Sequence, residues 1–311
     1  MHALVDESKS NRSSFSVINA RRDQPLPSQK IIDLIRRRMD SNEKFYSIET
    51  SVSHDLLLNF DEFTVLPLFT SITWFAENVE MDSDDNDFVE PAVQLINAIT
   101  TTPTLLHLTC YKLTERKIER LLRKTLYNVL ALRGDIVTQN QLFEHTIELV
   151  KLLKRKSAHI SVAVGGYPEL HPESSSLESE MKYLYEKVET GADFIITQTC
   201  FSSEKILQFI AECRNYGIKI PIIPGIFIPY SYKSLLSMCR LCKVSVPEED
   251  FQIYKQLRDD VNAFEDFAVG RTIELLTDLF SNENHRVVGI HFFTLNNFRL
   301  MKRVTSNFDF K

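Results

Sequence analysis

Glycine is scarce in this chain, with eight in 311 residues, well below the ~7% usual in globular proteins. That excludes a glycine-rich fibrous or low-complexity design, and it makes each glycine's position informative. No G-x-G-x-x-G and no G-x-x-x-x-G-K-[ST] occurs, so neither the Rossmann fingerprint nor a P-loop is present and any nucleotide must be held another way. No G-x-S-x-G occurs, which removes the α/β-hydrolase nucleophile elbow. Positive charge is not in excess: 36 Lys and Arg stand against 42 Asp and Glu, a net charge of −6. A nucleic-acid partner is therefore not expected, and Arg36, Arg37 and Arg38 read as a solvated helix face. No apolar run is long enough to span a membrane. The opening MHALVDESKSNRSS lacks the apolar core of a secretion signal, and Asp6, Glu7 and Asp23 argue against a transit peptide.

The five cysteines (Cys110, Cys200, Cys213, Cys239, Cys242) form no disulfide framework. Cys239-x-x-Cys242 is a single pair inside a helical pattern, short of the donor set that structural zinc needs. The acidic run 80–90 has an aspartate spacing like that of a calcium loop. It carries Asp87 where glycine is required and Val93 where the bidentate glutamate is required, so it reads as a solvated loop. The expectation is a cytoplasmic protein with reduced thiols, no metal and no membrane contact.

What the chain does have is a rhythm of short apolar runs. Eight candidate strands stand at 45–50, 69–74, 104–110, 128–134, 160–166, 194–200, 222–228 and 289–296. Runs apolar on both faces are the mark of buried parallel strands. Helical stripes lie between most of them. Leu177, Met181, Leu184 and Val188 make one, Phe143, Ile147, Val150 and Leu153 a second, and Ile206, Phe209, Ile210 and Cys213 a third. Ser175 with Glu178 suggests a capping box. Gly191, Gly217 and Gly289 fall between helix and strand, where a left-handed cap is wanted. Eight strand–helix units with short links imply a closed (β/α)8 TIM barrel of class α/β, with a doubly wound open sheet as the alternative. Residues 1–40 read as a polar, loosely ordered N-terminal extension ending in a short helix, and 41–311 as the barrel domain.

In such a barrel the chemistry sits where the strands end. Glu49 stands near the end of the first strand, and apolar flanks would raise its pKa into general-acid range; a salt-bridged structural glutamate fits the same spacing. Arg133 and Asp135 flank Gly134. Gln198 interrupts an apolar strand, so its amide meets either a ligand or a neighbouring side chain. His107 and His171 are strand-end imidazoles, each of which, taken alone, is more often a satisfied structural histidine than a ligand contact.

Taken together, ALRGD (131–135), GYPELHPE (166–173), GADFIITQTCF (191–201), PIIPGIF (221–227) and HFFTLN (291–296) resemble the methylenetetrahydrofolate reductase family, in the family's order and across roughly 44–300. The resemblance implies a (β/α)8 barrel that binds FAD non-covalently. It also implies hydride transfer from NADPH or NADH through the flavin to 5,10-methylenetetrahydrofolate, giving 5-methyltetrahydrofolate for methionine synthesis. By the same resemblance Glu49 is the general acid, Asp135 the carboxylate near flavin and pterin, and Gln198 the amide that orients the pterin. Thr73, Trp74, His107, Arg133, Gly134, Asp135, Tyr167, His171, Pro172, Glu173, Ser174 and Lys187 fall at cofactor-contacting positions. His145 and Glu180 stand in that set where other residues are usual.

The departures lie on the substrate side. Thr50, Ser51, Val52, Ser53 and His54 replace the family's Phe-Phe-Pro-Pro-Arg. Phe293 and Asn297 stand at folate-contacting positions where Tyr and Arg are usual, with Arg299 as the candidate replacement cation. A non-catalytic flavin- or folate-binding paralogue, or a flavin oxidoreductase with another acceptor, therefore remains open beside the reductase. The family's eukaryotic regulatory domain is not expected in this chain, and a homo-oligomer is compatible with it.

Overall fold

The computed structural model describes residues 15–20, 29–53, 56–73, 90–123, 127–134 and 141–310. The eight expected strands form and close on themselves. They are β2 (Phe45–Ser51), β4 (Thr70–Thr73), β5 (Thr104–Thr109), β6 (Asn128–Leu132), β7 (Ser161–Gly166), β8 (Phe194–Thr199), β9 (Ile222–Phe227) and β10 (Gly289–Phe293). The hydrogen-bonded order is β10-β2-β4-β5-β6-β7-β8-β9, and each neighbouring pair is parallel. The closed barrel, not the open sheet, is the architecture.

The connecting helices are α2 (Glu90–Ala98), α3 (Glu115–Arg123), α4 (Thr146–Lys156), α5 (Leu177–Glu189), α6 (Ser203–Asn215), α7 (Tyr232–Cys242), α8 (Glu248–Gln256), α9 (Val261–Ser281) and α10 (Arg299–Asn307). The stripe read on α6 is buried throughout; on α5 Met181 and Leu184 are buried but Leu177 is exposed, and on α4 Val150 and Leu153 are buried while Phe143 packs from just before the helix. The cap of α5 is one residue later than the Ser175 reading. The Ser176 hydroxyl accepts from the Ser179 N–H at 3.1 Å, and the Ser179 hydroxyl returns a bond to the Ser176 N–H at 3.1 Å. Serine at the third helical position thus does the work expected of glutamate. Cys239 and Cys242 lie on α7, and neither is in a disulfide. The acidic run lies, except for Glu90, outside the described residues.

Gly289 departs from its expected role. It has no positive φ, unlike Gly191 at 119° and Gly217 at 94°. A Cβ at Gly289 would stand 2.1 Å from the Phe45 ring, so the missing side chain makes room for that ring inside the barrel. The last strand also stops earlier than read, at Phe293. Leu295 (φ 48°) and Asn296 (φ 61°) turn the chain over the barrel mouth.

Two features near the N-terminus were not legible in the composition. Residues 15–20, expected to be loosely ordered, contain β1 (Ser16–Ile18), which pairs in parallel with β3 (Leu57–Asn59). Asn19 anchors this ribbon: its Nδ2 donates to the Ala98 carbonyl at 2.8 Å, and its Oδ1 accepts from the Thr100 and Thr101 N–H groups. The helix expected at 31–39 is α1 (Ile31–Ser41), with Arg36 and Arg37 exposed as read and Arg38 paired with Glu43. Its apolar face does more than lead in. Ile31, Ile32 and Ile35 pack against Phe45, Phe69, Leu105, Leu130, Ala163, Phe194 and Ile223, contributed by or adjoining successive barrel strands. The helix closes the floor of the barrel.

Asn128 holds α1 there. Its Oδ1 accepts from the Ile31 N–H at 2.8 Å, and its Nδ2 donates to Gln29 O at 3.1 Å and Thr104 O at 3.2 Å. The residue preceding α1, Lys30, makes no side-chain cap, so a strand asparagine caps the helix from a distance in sequence. Asn128→Ala is expected to cost about 1–3 kcal/mol through unsatisfied backbone groups, and Ile35→Ala about 2–5 kcal/mol through the floor cavity. Denaturant unfolding at pH 7 measures both; losses under about 0.5 kcal/mol would mean α1 is not part of the barrel's cooperative core.

Candidate active site

The barrel lumen changes character with height. Above the apolar floor the inward positions turn polar. The register sets His291 of β10 beside Ser47 of β2, and Glu49 beside Ser71 of β4. His291 is fully buried, with Nδ1 2.8 Å from Ser47 Oγ and Nε2 3.0 Å from Ser71 Oγ. Its ring stacks on Phe69 with centroids 5.9 Å apart. On β5, His107 places Nδ1 3.1 Å from Thr73 Oγ1. The Thr73 hydroxyl also lies near enough to the Glu49 carboxyl to favour its ionised form.

Glu49 is buried at the top of this polar column. Burial pushes its pKa up from 4.5 to about 7, with the Thr73 hydroxyl pulling the other way. Among the described residues no cation pairs with Glu49, and its side-chain neighbours there are a hydroxyl and two imidazoles. Burial lowers His107 to about 4 and holds His291 well below its ordinary range, with His107 adding to the latter effect. Both rings are therefore neutral at pH 7. Glu49, His107 and His291 bring ligand-type atoms within 4.8 Å of one another. Both ring nitrogens of His291 are already engaged by serines, which leaves that ring no lone pair aimed at a cation.

The turn after β10 fixes the backbone around Glu49. The Thr294 hydroxyl donates to Glu49 O at 2.6 Å. Asn296 Oδ1 accepts from the Ser51 N–H at 2.8 Å and from the Thr50 hydroxyl at 3.0 Å, while its Nδ2 donates to Ser51 O at 3.0 Å. Thr50 and Ser51, where the family has aromatic residues, are thus stapled to the opposite end of the chain. Thr294 and Asn296 were not singled out from sequence; their signal was the polar T-x-N at the end of an apolar strand.

Beside this column opens a cleft of about 580 Å3, within the usual range for ligand sites. It runs over the ends of β4 to β8 and the starts of α4 and α5. Of the residues expected at the cofactor, Thr73, Arg133, Gly134, His145, Tyr167, His171, Glu173, Ser174, Glu180 and Lys187 line it, and so does Gln198. Pro172 lies in the turn between His171 and Glu173. Trp74, Asp135 and His54 lie outside the described residues. His107 is buried, with its Nδ1 against the hydroxyl of the cleft residue Thr73.

The charged groups of the cleft are held in place. Arg133 makes a two-pronged pair with Glu173, Nη2 to Oε1 at 2.8 Å. Buried Lys187 donates to Gly165 O at 2.8 Å and lies 5.0 Å from the centre of the Tyr183 ring. Burial lowers its pKa to about 8, against the pull of Glu180. The Ser174 hydroxyl donates to Glu180. Tyr183, missed from sequence, shares the helix face of Lys187 at a spacing of four. Gln198 keeps its Oε1 on the Thr199 N–H at 2.9 Å while lining the cleft.

The remaining expected residues lie elsewhere. Phe293 packs edge-on to His291 at 5.1 Å and over Gly225, where a Cβ would come within 2.4 Å of its ring. Asn297 Oδ1 accepts from the Arg299 N–H at 3.3 Å. Arg299 itself is committed to Glu265 of α9 through both guanidinium nitrogens, so it does not stand in for the usual cation.

Comparison with known proteins places this arrangement. The profile of the methylenetetrahydrofolate reductase family matches residues 34–309. Methylenetetrahydrofolate reductase 2 of Schizosaccharomyces pombe is 32% identical, aligned over 89% of this chain and 47% of its own length. Methylenetetrahydrofolate reductase (NADH) 1 of Arabidopsis thaliana is 31% identical over 74% of this chain and 41% of its own. The 5,10-methylenetetrahydrofolate reductase of Buchnera aphidicola is 31% identical over 88% of this chain and 92% of its own. The chain thus spans about half the length of its yeast and plant relatives. A Clostridium thermocellum protein whose structure binds two copies of 5-methyl-5,6,7,8-tetrahydrofolic acid shares the fold, with a TM-score of 0.62 at 14% identity over 88% of this chain and 98% of its own. Among the described residues no helix is long and apolar enough to cross a membrane.

The proton on Glu49 has a consequence for stability. Its pKa is raised on folding, so its contribution is fully present below pH 4.5 and is lost as pH rises through about 7. His107 runs the opposite way: its contribution is present above 6.5 and is lost as pH falls through about 4. Glu49→Gln should therefore unfold at higher denaturant than the parent at pH 8, by up to roughly 3 kcal/mol at about 1.4 kcal/mol per tenfold change in proton affinity. At pH 4 that advantage should vanish. A difference that is the same at both pH values would show that Glu49 is not held protonated.

Proposed function

Since the chain belongs to the methylenetetrahydrofolate reductase family, we propose that its barrel reduces 5,10-methylenetetrahydrofolate to 5-methyltetrahydrofolate, with FAD bound in the cleft and a reduced nicotinamide nucleotide as hydride donor. The observation that carries this reading is a buried carboxyl, its pKa pushed up by burial to about 7, beside a cleft bordered by Lys187 and the first turns of α4 and α5.

The cleft fits FAD on its own chemistry. Lys187 is a cation held among few compensating charges, and its lowered pKa shows that a nearby anion would be favourable there. The first turns of α4 and α5 border the same space, and helix N-termini favour phosphate. Gly134, at φ 86°, presents backbone where a side chain would crowd Thr109. FAD, when bound, supplies the hydride relay between nicotinamide and folate.

The chain's own residues do the rest. Glu49 gives its proton to the bridging amine nitrogen of the folate as the methylene bridge opens, leaving a carboxylate and an iminium able to accept hydride. A pKa of about 7 suits an acid that must hold its proton at neutral pH and yet release it. Gln198, its amide oxygen fixed by a backbone N–H, is oriented to hold the pterin edge. Asp135 is assigned as the carboxylate near the rings by its place in ALRGD. Asn296 and Thr294 keep Glu49 in register with the mouth. We place the protein in the cytoplasm, consistent with five free thiols.

Purified protein is expected to release FAD on denaturation and to oxidise NADPH or NADH with an artificial acceptor and with methylenetetrahydrofolate. Glu49→Gln should slow folate reduction by about 10²–10⁴-fold and leave flavin reduction by the nicotinamide nearly unchanged. Colourless protein that refuses FAD in excess, or equal loss of both half-reactions in Glu49→Gln, would overturn the reading.

A further inference from the structure

Gln198 is the β8 residue that is not fully buried, and it lines the cleft. The strand is irregular at that point. Ile196 pairs with Ile223 of β9, and the next pair is Thr199 with Gly225. β8 therefore carries one extra residue, and Thr197 and Gln198 together stand opposite Pro224. In an unbroken register Gln198 would be the partner of Gly225. A bulge of this kind bends its strand and re-aims a side chain, which is why bulges recur beside active sites.

The bulge is held by one side chain. Thr197 is buried, and its Oγ1 accepts from the Gly225 N–H at 2.9 Å. The same hydroxyl donates to the Gln198 carbonyl at 2.9 Å. One proton given and one accepted account for the hydroxyl, and the two bonds tie the extra residue to both strands. Gly225 is shaped for this approach. A Cβ there would stand 2.2 Å from the Thr197 carbonyl oxygen, so the strands close at the bulge only because that carbon is missing.

The Gln198 amide is fixed at its oxygen end. Its Oε1 accepts from the Thr199 N–H at 2.9 Å. A backbone N–H can only donate, so the atom facing it has to be the oxygen, and the Nε2 group is the end left for a ligand. The cleft thus meets a hydrogen-bond donor at this position, matched to an acceptor on the substrate ring.

We propose that Thr197 is a positioning residue for Gln198: its hydroxyl locks the β8 bulge that carries the Gln198 amide to the cleft, Nε2 outward, to donate to an acceptor atom of the pterin. This rests on the role of Gln198 proposed above. Thr197 itself touches no substrate. It acts by removing alternative directions for the amide before the folate arrives.

The test compares two acceptors for the flavin in FAD-bound, pre-reduced protein: methylenetetrahydrofolate and an artificial quinone, which needs no pterin contact. Thr197→Val keeps the shape and removes both bonds. It should lower kcat/KM for the folate about tenfold relative to the quinone, mostly through a higher KM. Thr197→Ser should recover most of that loss. Gln198→Ala should show the same folate-selective loss, and the double variant should lose no more than Gln198→Ala alone, because both act through one amide. Thr272→Val is the control. It removes another buried hydroxyl, which donates to the Ala268 carbonyl within α9, and should not change the folate-to-quinone ratio. If Thr197→Val fails to fold, Thr197→Cys, which keeps the size and weakens both bonds, carries the same comparison.

An unchanged ratio in Thr197→Val, with a folate-selective loss in Gln198→Ala, overturns this proposal alone. So does a double variant whose losses add, since Thr197 would then act apart from Gln198. A loss in Thr197→Val that is equal for both acceptors makes Thr197 structural only and overturns it as well. Folate reduction that persists undiminished in Gln198→Ala, or that is absent from the parent, overturns the reading of Gln198 and this proposal with it.

Discussion

Everything at the mouth of this barrel depends on a carboxyl group withdrawn from water among neutral hydrogen-bonding partners. An ion pair at Glu49 would hold it ionised and useless as an acid. A wholly apolar surround would hold the proton too firmly to release. The lumen avoids both by giving Glu49 one hydroxyl and two imidazoles, both uncharged because they are as buried as the acid. A polar layer in a barrel interior costs desolvation energy, and its serines, threonines and histidines offset that cost by bonding one another and strand carbonyls.

The layers below make that arrangement rigid. The phenylalanines and aliphatic residues of the floor, with α1 beneath them, exclude water from one end. Phe69 belongs to the floor and also stacks on His291, so the apolar and polar layers are physically joined. Gly289 and Gly225 matter here by what they lack: each vacates the volume of an aromatic ring, Phe45 in one case and Phe293 in the other. At the other end, Thr294 and Asn296 tie the last strand to the first barrel strand, so barrel closure itself sets the height of Glu49.

The departures from the family's usual residues have a structural counterpart. Thr50 and Ser51 exchange hydrogen bonds with Asn296. Asn297 caps a turn, and Arg299 is spoken for by Glu265. Ten of the residues proposed to contact the cofactor, in contrast, line one cleft. The two halves of the mouth are built differently: the cleft is ringed by polar and charged side chains, and the half beside Glu49 is held by side-chain-to-backbone bonds.

The eight apolar runs and their helical partners determined the barrel, because burial on both faces of a strand and a stripe on a helix are written in neighbouring residues; the cleft residues were marked by the family resemblance of the local motifs. ALRGD and GYPELHPE placed Arg133, Gly134, Tyr167 and His171 at strand ends by local spacing alone. Other outcomes required the barrel to close. Asn128 caps a helix that begins at Ile31, Ser47 meets His291 from the far end of the chain, and Arg299 turns to α9. Such contacts depend on register and on which side chains reach across a lumen, and no local pattern encodes them. His107 shows the division most clearly. The chain marked it as a strand-end imidazole, and only the stagger of β4 against β5 decided that its Nδ1 meets the Thr73 hydroxyl and that its ring comes within 4.8 Å of Glu49 and His291.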